Sequence, residues 1–129
     1  MEFLLITSDS LLRDQVKVGL QQFPEFRVTC GESFQGVNMV RTMDFDLVFL
    51  ELGQNSPDNL TLVNLLRSFD STTGVVALAE DQVIKDLSPQ KQKHGITAFL
   101  SVPLDVTEFF RLISRMRARR EETEAAPAR

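Results

Sequence analysis

The chain of 129 residues is long enough for one domain with a single hydrophobic core. Its formal net charge of −4 argues against nucleic acid as the main partner, and its single cysteine, Cys30, excludes a disulfide framework and a thiolate metal cluster. Because the N-terminal segment lacks a basic region and is too short for a signal peptide or a membrane span, we expect a cytoplasmic protein that does not enter a membrane.

Strands and helices alternate in the first part of the chain. The first predicted strand covers residues 3–7, and apolar residues at helical spacing then predict a helix that ends before Pro24. A second strand covers residues 26–30. Ser33 is the predicted cap of a second helix.

The third predicted strand is the segment FDLVFLEL, residues 45–52. Its continuous apolar run indicates a strand that is buried on both faces, in the middle of a parallel sheet covered by helices. Glu51 ends this run, and a polar loop follows at residues 53–59. Open α/β sheets place their chemistry beside such loops, at the carboxyl ends of central strands.

The remaining segments continue the alternation. We predict a helix at about residues 60–69, a buried strand at 74–79, a weak helix within 81–93 and a strand within 95–102. A capping box at residues 105–108 begins the last helix. Five strands that alternate with five helices predict an α/β fold, a (βα)5 doubly wound parallel five-stranded sheet. We assign residues 1–120 to this domain and residues 121–129 to a disordered polar tail or the start of a linker.

Five sequence segments resemble, in register, those of the receiver domain of bacterial two-component response regulators, over about Phe3 to Arg117. The segments are ITSDSLLR (6–13), DLVFLEL (46–52), Pro57-Asp58-Asn59, GVVALAE (74–80) and GITAFLSVPLD (95–105). The resemblance implies the flavodoxin-like (CheY-like) receiver fold and a role in bacterial signal transduction. It also implies a cis peptide before Pro103.

The same register places altered residues at the family's phosphorylation pocket. In the family, two acids hold Mg²⁺, an Asp accepts the phosphoryl group, a hydroxyl senses it and a Lys pairs with it. Those positions are occupied here by Thr7, Ser8, Glu51, Ala79 and Val102. Asp9 lies one place after the acid positions. Since phosphoryl transfer depends on positioning and charge neutralisation, we predict a degenerate pseudo-receiver that is not an enzyme and holds no metal or cofactor.

Glu51 has two interpretations. It is either a permanent mimic of a phosphorylated Asp or a strand-end carboxylate that accepts hydrogen bonds, with Thr7 and Ser8 as the donors. We favour the second interpretation, because Ala79 and Val102 cannot respond to a mimic.

The resemblance also suggests a partner-binding face, formed by the fourth helix, the fifth strand and the fifth helix. Phe99 lies at the family's switch-aromatic position, where we expect packing or a fixed contact with a partner. The candidate binding residues are Phe99, Ser101, Phe110, Arg111 and Arg115. Phe110 is expected to be partly exposed, because a helix cannot direct both Phe109 and Phe110 into one core. The expected partner is a signalling protein or a second copy of the chain.

Two other functions remain open from the sequence. One is a receiver that still accepts a phosphoryl group through Asp9, Glu51 or a nearby hydroxyl. The other is a flavodoxin-like domain that binds a small polar molecule in a neutral pocket formed by Thr7, Ser8, Asn55 and Ala79. Neither a nucleotide-binding GxGxxG motif nor a Walker loop is present.

Overall fold

The computed structural model describes residues 1–52 and 60–125. In this part of the chain, five parallel strands form one sheet in the order β2-β1-β3-β4-β5. The strands are β1 (Glu2–Ile6), β2 (Arg27–Gly31), β3 (Leu47–Glu51), β4 (Gly74–Ala79) and β5 (Ala98–Ser101). The helices are α1 (Ser10–Leu20), α2 (Ser33–Thr42), α3 (Thr61–Phe69), α4 (Asp81–Leu87) and α5 (Val106–Ala125). The predicted (βα)5 fold is confirmed.

The sheet is covered on both faces, which explains the uninterrupted apolar run of β3. Leu47 and Phe49 join α1 and α5 in one core cluster, whereas Val48 and Leu50 join α2, α3 and α4 in the other. Each of these four side chains is at most 1% exposed. Successive residues of a strand face opposite sides, so a strand between two helical layers has no polar alternation.

Several element ends differ from their predicted positions. Ser33 is the first residue of α2 with a φ of 50°, and Glu32 precedes it without a side-chain cap, so the predicted Ser33 cap is wrong. The weak helix is confirmed as α4 followed by a short 3₁₀ turn, Ser88–Gln90. At the last helix, Asp105 Oδ1 accepts hydrogen bonds from the backbone N–H groups of Thr107 and Glu108, as the capping box predicts.

The predicted boundary at residue 120 does not coincide with a helix end, because α5 continues to Ala125. The predicted loop at 53–59, with Pro57-Asp58-Asn59 and Asn55, lies outside the described residues, as do residues 126–129. In the described ranges, no helix is both long enough and apolar enough to cross a membrane.

Candidate functional site

The carboxyl ends of the central strands bring the predicted pocket residues to one edge of the sheet. Thr7 directly follows β1, and Glu51 is the last residue of the neighbouring β3. Ala79 ends β4 and is paired in register with Ser101 of β5. The order of the sheet changes direction between β1 and β3, and this is the position where doubly wound sheets bind their ligands.

Thr7 is the centre of the hydrogen bonds in this pocket. Its side chain is buried, with 4% exposure, and its hydroxyl donates to Glu51 Oε1 at 2.9 Å. The hydroxyl oxygen of Thr7 also accepts a hydrogen bond from the backbone N–H of Asp9 at 3.0 Å. The predicted donor Thr7 is therefore confirmed. Ser8 is exposed, and no hydrogen bond from it to Glu51 occurs among the described residues.

Asp9 is used at the beginning of α1. Its Oδ1 accepts hydrogen bonds from the backbone N–H groups of Leu11 at 2.9 Å and Leu12 at 3.3 Å. A carboxylate in this position satisfies free N–H groups of the first helical turn and is stabilised by the helix dipole. Ser8 and Ser10 are also residue types that cap helices, so the sequence does not single out Asp9 for this role.

Within residues 1–52 and 60–125, the pocket does not offer the ligands that Mg²⁺ requires. Mg²⁺ needs several oxygen ligands in octahedral geometry, but Thr7 donates its proton to Glu51 and Asp9 caps a helix. In the part of the chain that the structure describes, no three Asp, Glu, His or Cys residues come together as a metal site. No step through a metal ion follows from this arrangement.

The other two pocket positions are apolar. Ala79 is fully buried, and its carbonyl oxygen accepts a hydrogen bond from the backbone N–H of Val102 at 2.9 Å. The peptide between Val102 and Pro103 is cis, as the resemblance implied. Within residues 1–52 and 60–125, no lysine or arginine forms an ion pair with Glu51.

Four of the five predicted partner-binding residues line one open groove between β5 and α5, with a volume of about 820 Å³. We call it the β5–α5 groove. Its lining includes Phe99, Phe110, Arg111 and Arg115. The fifth, Ser101, lies next to it, with its hydroxyl 3.5 Å from the carboxylate of the lining residue Glu108.

The two aromatic residues of this groove are anchored in the fold. Phe99 is half-buried and packs against the core cluster under α2, α3 and α4. Phe110 is also half-buried, and its ring centroid lies 6.0 Å from that of Phe23 and 6.0 Å from that of Phe109. The predicted partial exposure of Phe110 is confirmed, but its ring also contributes to packing.

A second groove, between α1 and α5, was not predicted from the sequence. It has a volume of about 390 Å³ and includes Val18, Val106 and Phe109 in its lining. Val18 and Val106 are 61% and 58% exposed. Leu11 lies two turns before Val18 on the same face of α1 and is 66% exposed. The spacing of seven residues between Leu11 and Val18 is the sequence signal that would have indicated a second apolar face on α1.

No family model and no curated protein matches the chain. Solved structures do match it. A two-component response regulator from Clostridium difficile superposes with a TM-score of 0.73 at 20% identity, over 92% of this chain and 97% of its own. The signal receiver domain of an HD domain-containing protein from Pseudomonas fluorescens gives 0.76 at 20% identity, over 97% and 93%.

A third structure belongs to a family of streptococcal redox sensors that evolved from two-component response regulators. It gives a TM-score of 0.77 at 17% identity, over 99% of this chain and 56% of its own. The fold of this chain is therefore that of response-regulator receiver domains, as the sequence resemblance indicated.

Proposed function

We propose that this chain is a phosphorylation-independent receiver-like module that acts in bacterial signal transduction by binding protein, without enzymatic activity. The observation that supports it best is the hydrogen bond of 2.9 Å from Thr7 to Glu51. The family resemblance implies an acid that holds a metal at position 7 and an Asp that accepts the phosphoryl group at position 51. The chain instead has the neutral donor Thr7, which is hydrogen-bonded to the longer carboxylate of Glu51. The pocket is thus satisfied without a phosphoryl group.

The rest of the pocket supports the same proposal. A receiver switch needs a group that responds to the phosphoryl group, and Ala79 and Val102 offer neither a hydroxyl nor a cation. A ligand changes a conformational equilibrium only if it interacts differently with the two states. With apolar side chains at both positions, a phosphoryl group at Glu51 would have no such differential contact.

An amide NMR titration tests the loss of phosphorylation. We expect no saturable shifts at Thr7, Glu51 or Ala79 with Mg²⁺ followed by beryllofluoride, an acyl phosphate mimic. The positive control is the five-fold variant that restores the family pattern, with Thr7→Asp, Ser8→Asp, Glu51→Asp, Ala79→Thr and Val102→Lys. If the unaltered chain responds with Mg²⁺ dependence, and Glu51→Gln removes the response, the alternative of a residual phosphoryl acceptor is correct.

For the partner, we propose a second copy of the chain, bound through the β5–α5 groove. The reason is charge complementarity along α5. Glu108 and Arg115 both line the groove and are seven residues apart, on one face of the helix. Two antiparallel copies of α5 related by a two-fold axis would place Glu108 of each copy beside Arg115 of the other. The two Arg111 side chains would lie near the axis, where their repulsion opposes part of this attraction. Such a self-complementary patch is what a symmetric dimer requires.

Charge reversal provides the test. Each exposed pair contributes about 0.5 kcal/mol, so Arg115→Glu replaces two attractions by two repulsions and weakens the dimer by about 2 kcal/mol, roughly 30-fold in Kd. The double variant Glu108→Arg with Arg115→Glu restores both pairs and should restore the affinity. Lys17→Glu, on the exposed side of α1, is the control. Sedimentation velocity measures all four proteins, and a monomeric wild type at high concentration would refute the self-association while leaving the pocket proposal standing.

A further inference from the structure

A basic pocket lies at the amino ends of β4 and β5, at the opposite end of the sheet from Thr7 and Glu51. It has a volume of about 610 Å³ and is formed by the end of α3, the turn before β4 and the loop before β5. Its lining residues are Asn64, Arg67, Ser68, Ser71, Gln92, Lys93, His94, Gly95, Ile96 and Thr97. This lining contains three basic side chains and no carboxylate, although the whole chain is acidic.

Arg67 is held in a fixed orientation at this basic pocket. Its Nε and Nη2 donate to the carbonyl oxygen of Gly95 at 3.0 and 2.6 Å, and its Nη1 donates to that of Asp70 at 3.2 Å. A guanidinium has five N–H groups, so two remain that have no acceptor among the described residues. These contacts place a rigid cationic donor in the pocket wall without using all of its donors.

The electrostatics of Arg67 favour an added anion. Partial burial lowers the pKa of Arg67, while the nearby Asp70 carboxylate acts in the opposite direction. The Asp70 carboxylate does not serve Arg67 alone, because its oxygens also accept hydrogen bonds from Thr72 and Thr73. A partly desolvated guanidinium beside one shared carboxylate would be stabilised by an oxyanion that accepts from its free N–H groups.

The loop before β5 supplies donors from the other side. Gly95 has a φ of 69°, and the turn brings Lys93 and His94 to the same pocket as Arg67. The His94 ring already has partners at both nitrogens, with Nδ1 3.3 Å from Asn64 Oδ1 and Nε2 3.0 Å from Gln90 Oε1, so the free donors of this loop are Lys93 and Thr97. Thr97 Oγ1 accepts a hydrogen bond from a backbone N–H of β4 at 3.0 Å, which leaves its own proton free to donate.

We propose that this basic pocket binds a phosphate monoester. A carboxylate is flat and accepts hydrogen bonds mainly in its own plane, whereas a phosphate oxyanion accepts hydrogen bonds from several directions at once. Arg67 of α3 and Lys93 and Thr97 of the loop before β5 all line this pocket. The volume falls in the range of small-molecule sites, so a sugar or nucleoside attached to the phosphate has room. This site is independent of the proposed dimer and of the pocket at Glu51.

An amide NMR titration of the full chain with inorganic phosphate, and then with ribose 5-phosphate, tests the site. We expect saturable shifts at Ser71, Gln92, Gly95 and Thr97, with at least fivefold tighter binding of the phosphate ester than of acetate. Sodium chloride at matched ionic strength is the control for screening. Equal shifts with chloride would overturn the proposal, and equal affinity for acetate would overturn the assignment to phosphate.

Variants locate the binding. The variant Lys93→Gln should weaken phosphate binding at least fivefold, and Lys85→Gln, whose side chain is exposed on α4 outside the pocket, should not change it. Arg67→Lys keeps the charge but lacks the fork, and it too should weaken binding. Because Arg67 also holds Gly95, Lys93→Gln is the decisive variant, and wild-type affinity in that variant would refute the site.

Discussion

Replacing Thr7 by Val tests whether the pocket is a satisfied structural unit. Valine keeps the β-branched shape of Thr7 in a site that is 4% exposed, but it lacks the hydroxyl. The substitution removes the donor to Glu51 Oε1 and the acceptor of the Asp9 N–H together. Because one oxygen makes both contacts, a single change disconnects β3 from the start of α1.

The expected destabilisation is about 2 kcal/mol. A hydrogen bond to a charged group contributes about 1.5 kcal/mol at the lower end of the usual range. This lower value applies to Glu51, because its carboxylate is half-buried and water can replace the lost donor. Loss of the acceptor for the Asp9 N–H adds about 1 kcal/mol. The buried methyl group of valine returns about 0.8 kcal/mol. For a chain of this size, about 2 kcal/mol lowers the melting temperature by roughly 6–10 °C.

Urea unfolding followed by far-UV circular dichroism measures this free energy, with Ser8→Ala as the matched control. Ser8 is exposed, so its change should stay within about 0.5 kcal/mol. A double-mutant cycle of Thr7→Val with Glu51→Gln should give a coupling of about 1 kcal/mol, since a neutral acceptor forms roughly half the bond of a charged one. If Thr7→Val is as mild as Ser8→Ala, or if the coupling is zero, the hydrogen bond does not stabilise the pocket.

Three further substitutions test neighbouring features. Asp9→Ala should destabilise the chain by about 1 kcal/mol through loss of the α1 cap, while Asp9→Ser should retain most of the stability, as urea unfolding will show. Gly95→Ala should cost at least about 1–2 kcal/mol in thermal unfolding, because φ is 69° and the new Cβ would lie 2.6 Å from Arg67 Nε. Partial burial raises the pKa of Asp70, but hydrogen bonds from Thr72 and Thr73 together lower it below 3.8. The contribution of ionised Asp70 to the free energy of unfolding is therefore present above pH 3.8 and is lost as the pH falls through the pKa of the folded state. In acid unfolding, the stability of Asp70→Asn should thus depend less on pH than that of the wild type.

The fold could be predicted because its signals are local. The third and fourth strands are apolar runs that end where the polar residues begin, and the β4 limits 74–79 agree with the prediction at both ends. The fifth strand is shorter than its apolar segment, because Ile96 is buried in the turn before β5 and does not pair with β4. Element ends depend on which backbone groups find partners, and sequence periodicity does not contain that information.

The site could be predicted only in part, because its partnerships are made between distant segments. Register alone brought Thr7 and Glu51 together, since both lie at the carboxyl ends of neighbouring parallel strands. The anchoring of Phe110 by Phe23 depends on how α5 lies beside the end of α1, which no local pattern specifies. Likewise, Arg67 and Gly95 are 28 residues apart, and only the folded chain shows that the guanidinium bonds to that turn.

Under the proposed function, the residues at the pocket of Thr7 and Glu51 are consistent with one another. A carboxylate at position 51 near acidic side chains at positions 7 and 8 would need a cation, and Val102 cannot supply one. With Thr7 in place of an acid, the carboxylate has a neutral donor at 2.9 Å and needs neither metal nor lysine. In the proposed pseudo-receiver, apolar Ala79 and Val102 are then acceptable, because no phosphoryl group would have to be sensed. We therefore infer that any signal leaves this domain through its surface grooves, and that Thr7→Val should change stability without changing the Kd of the dimer.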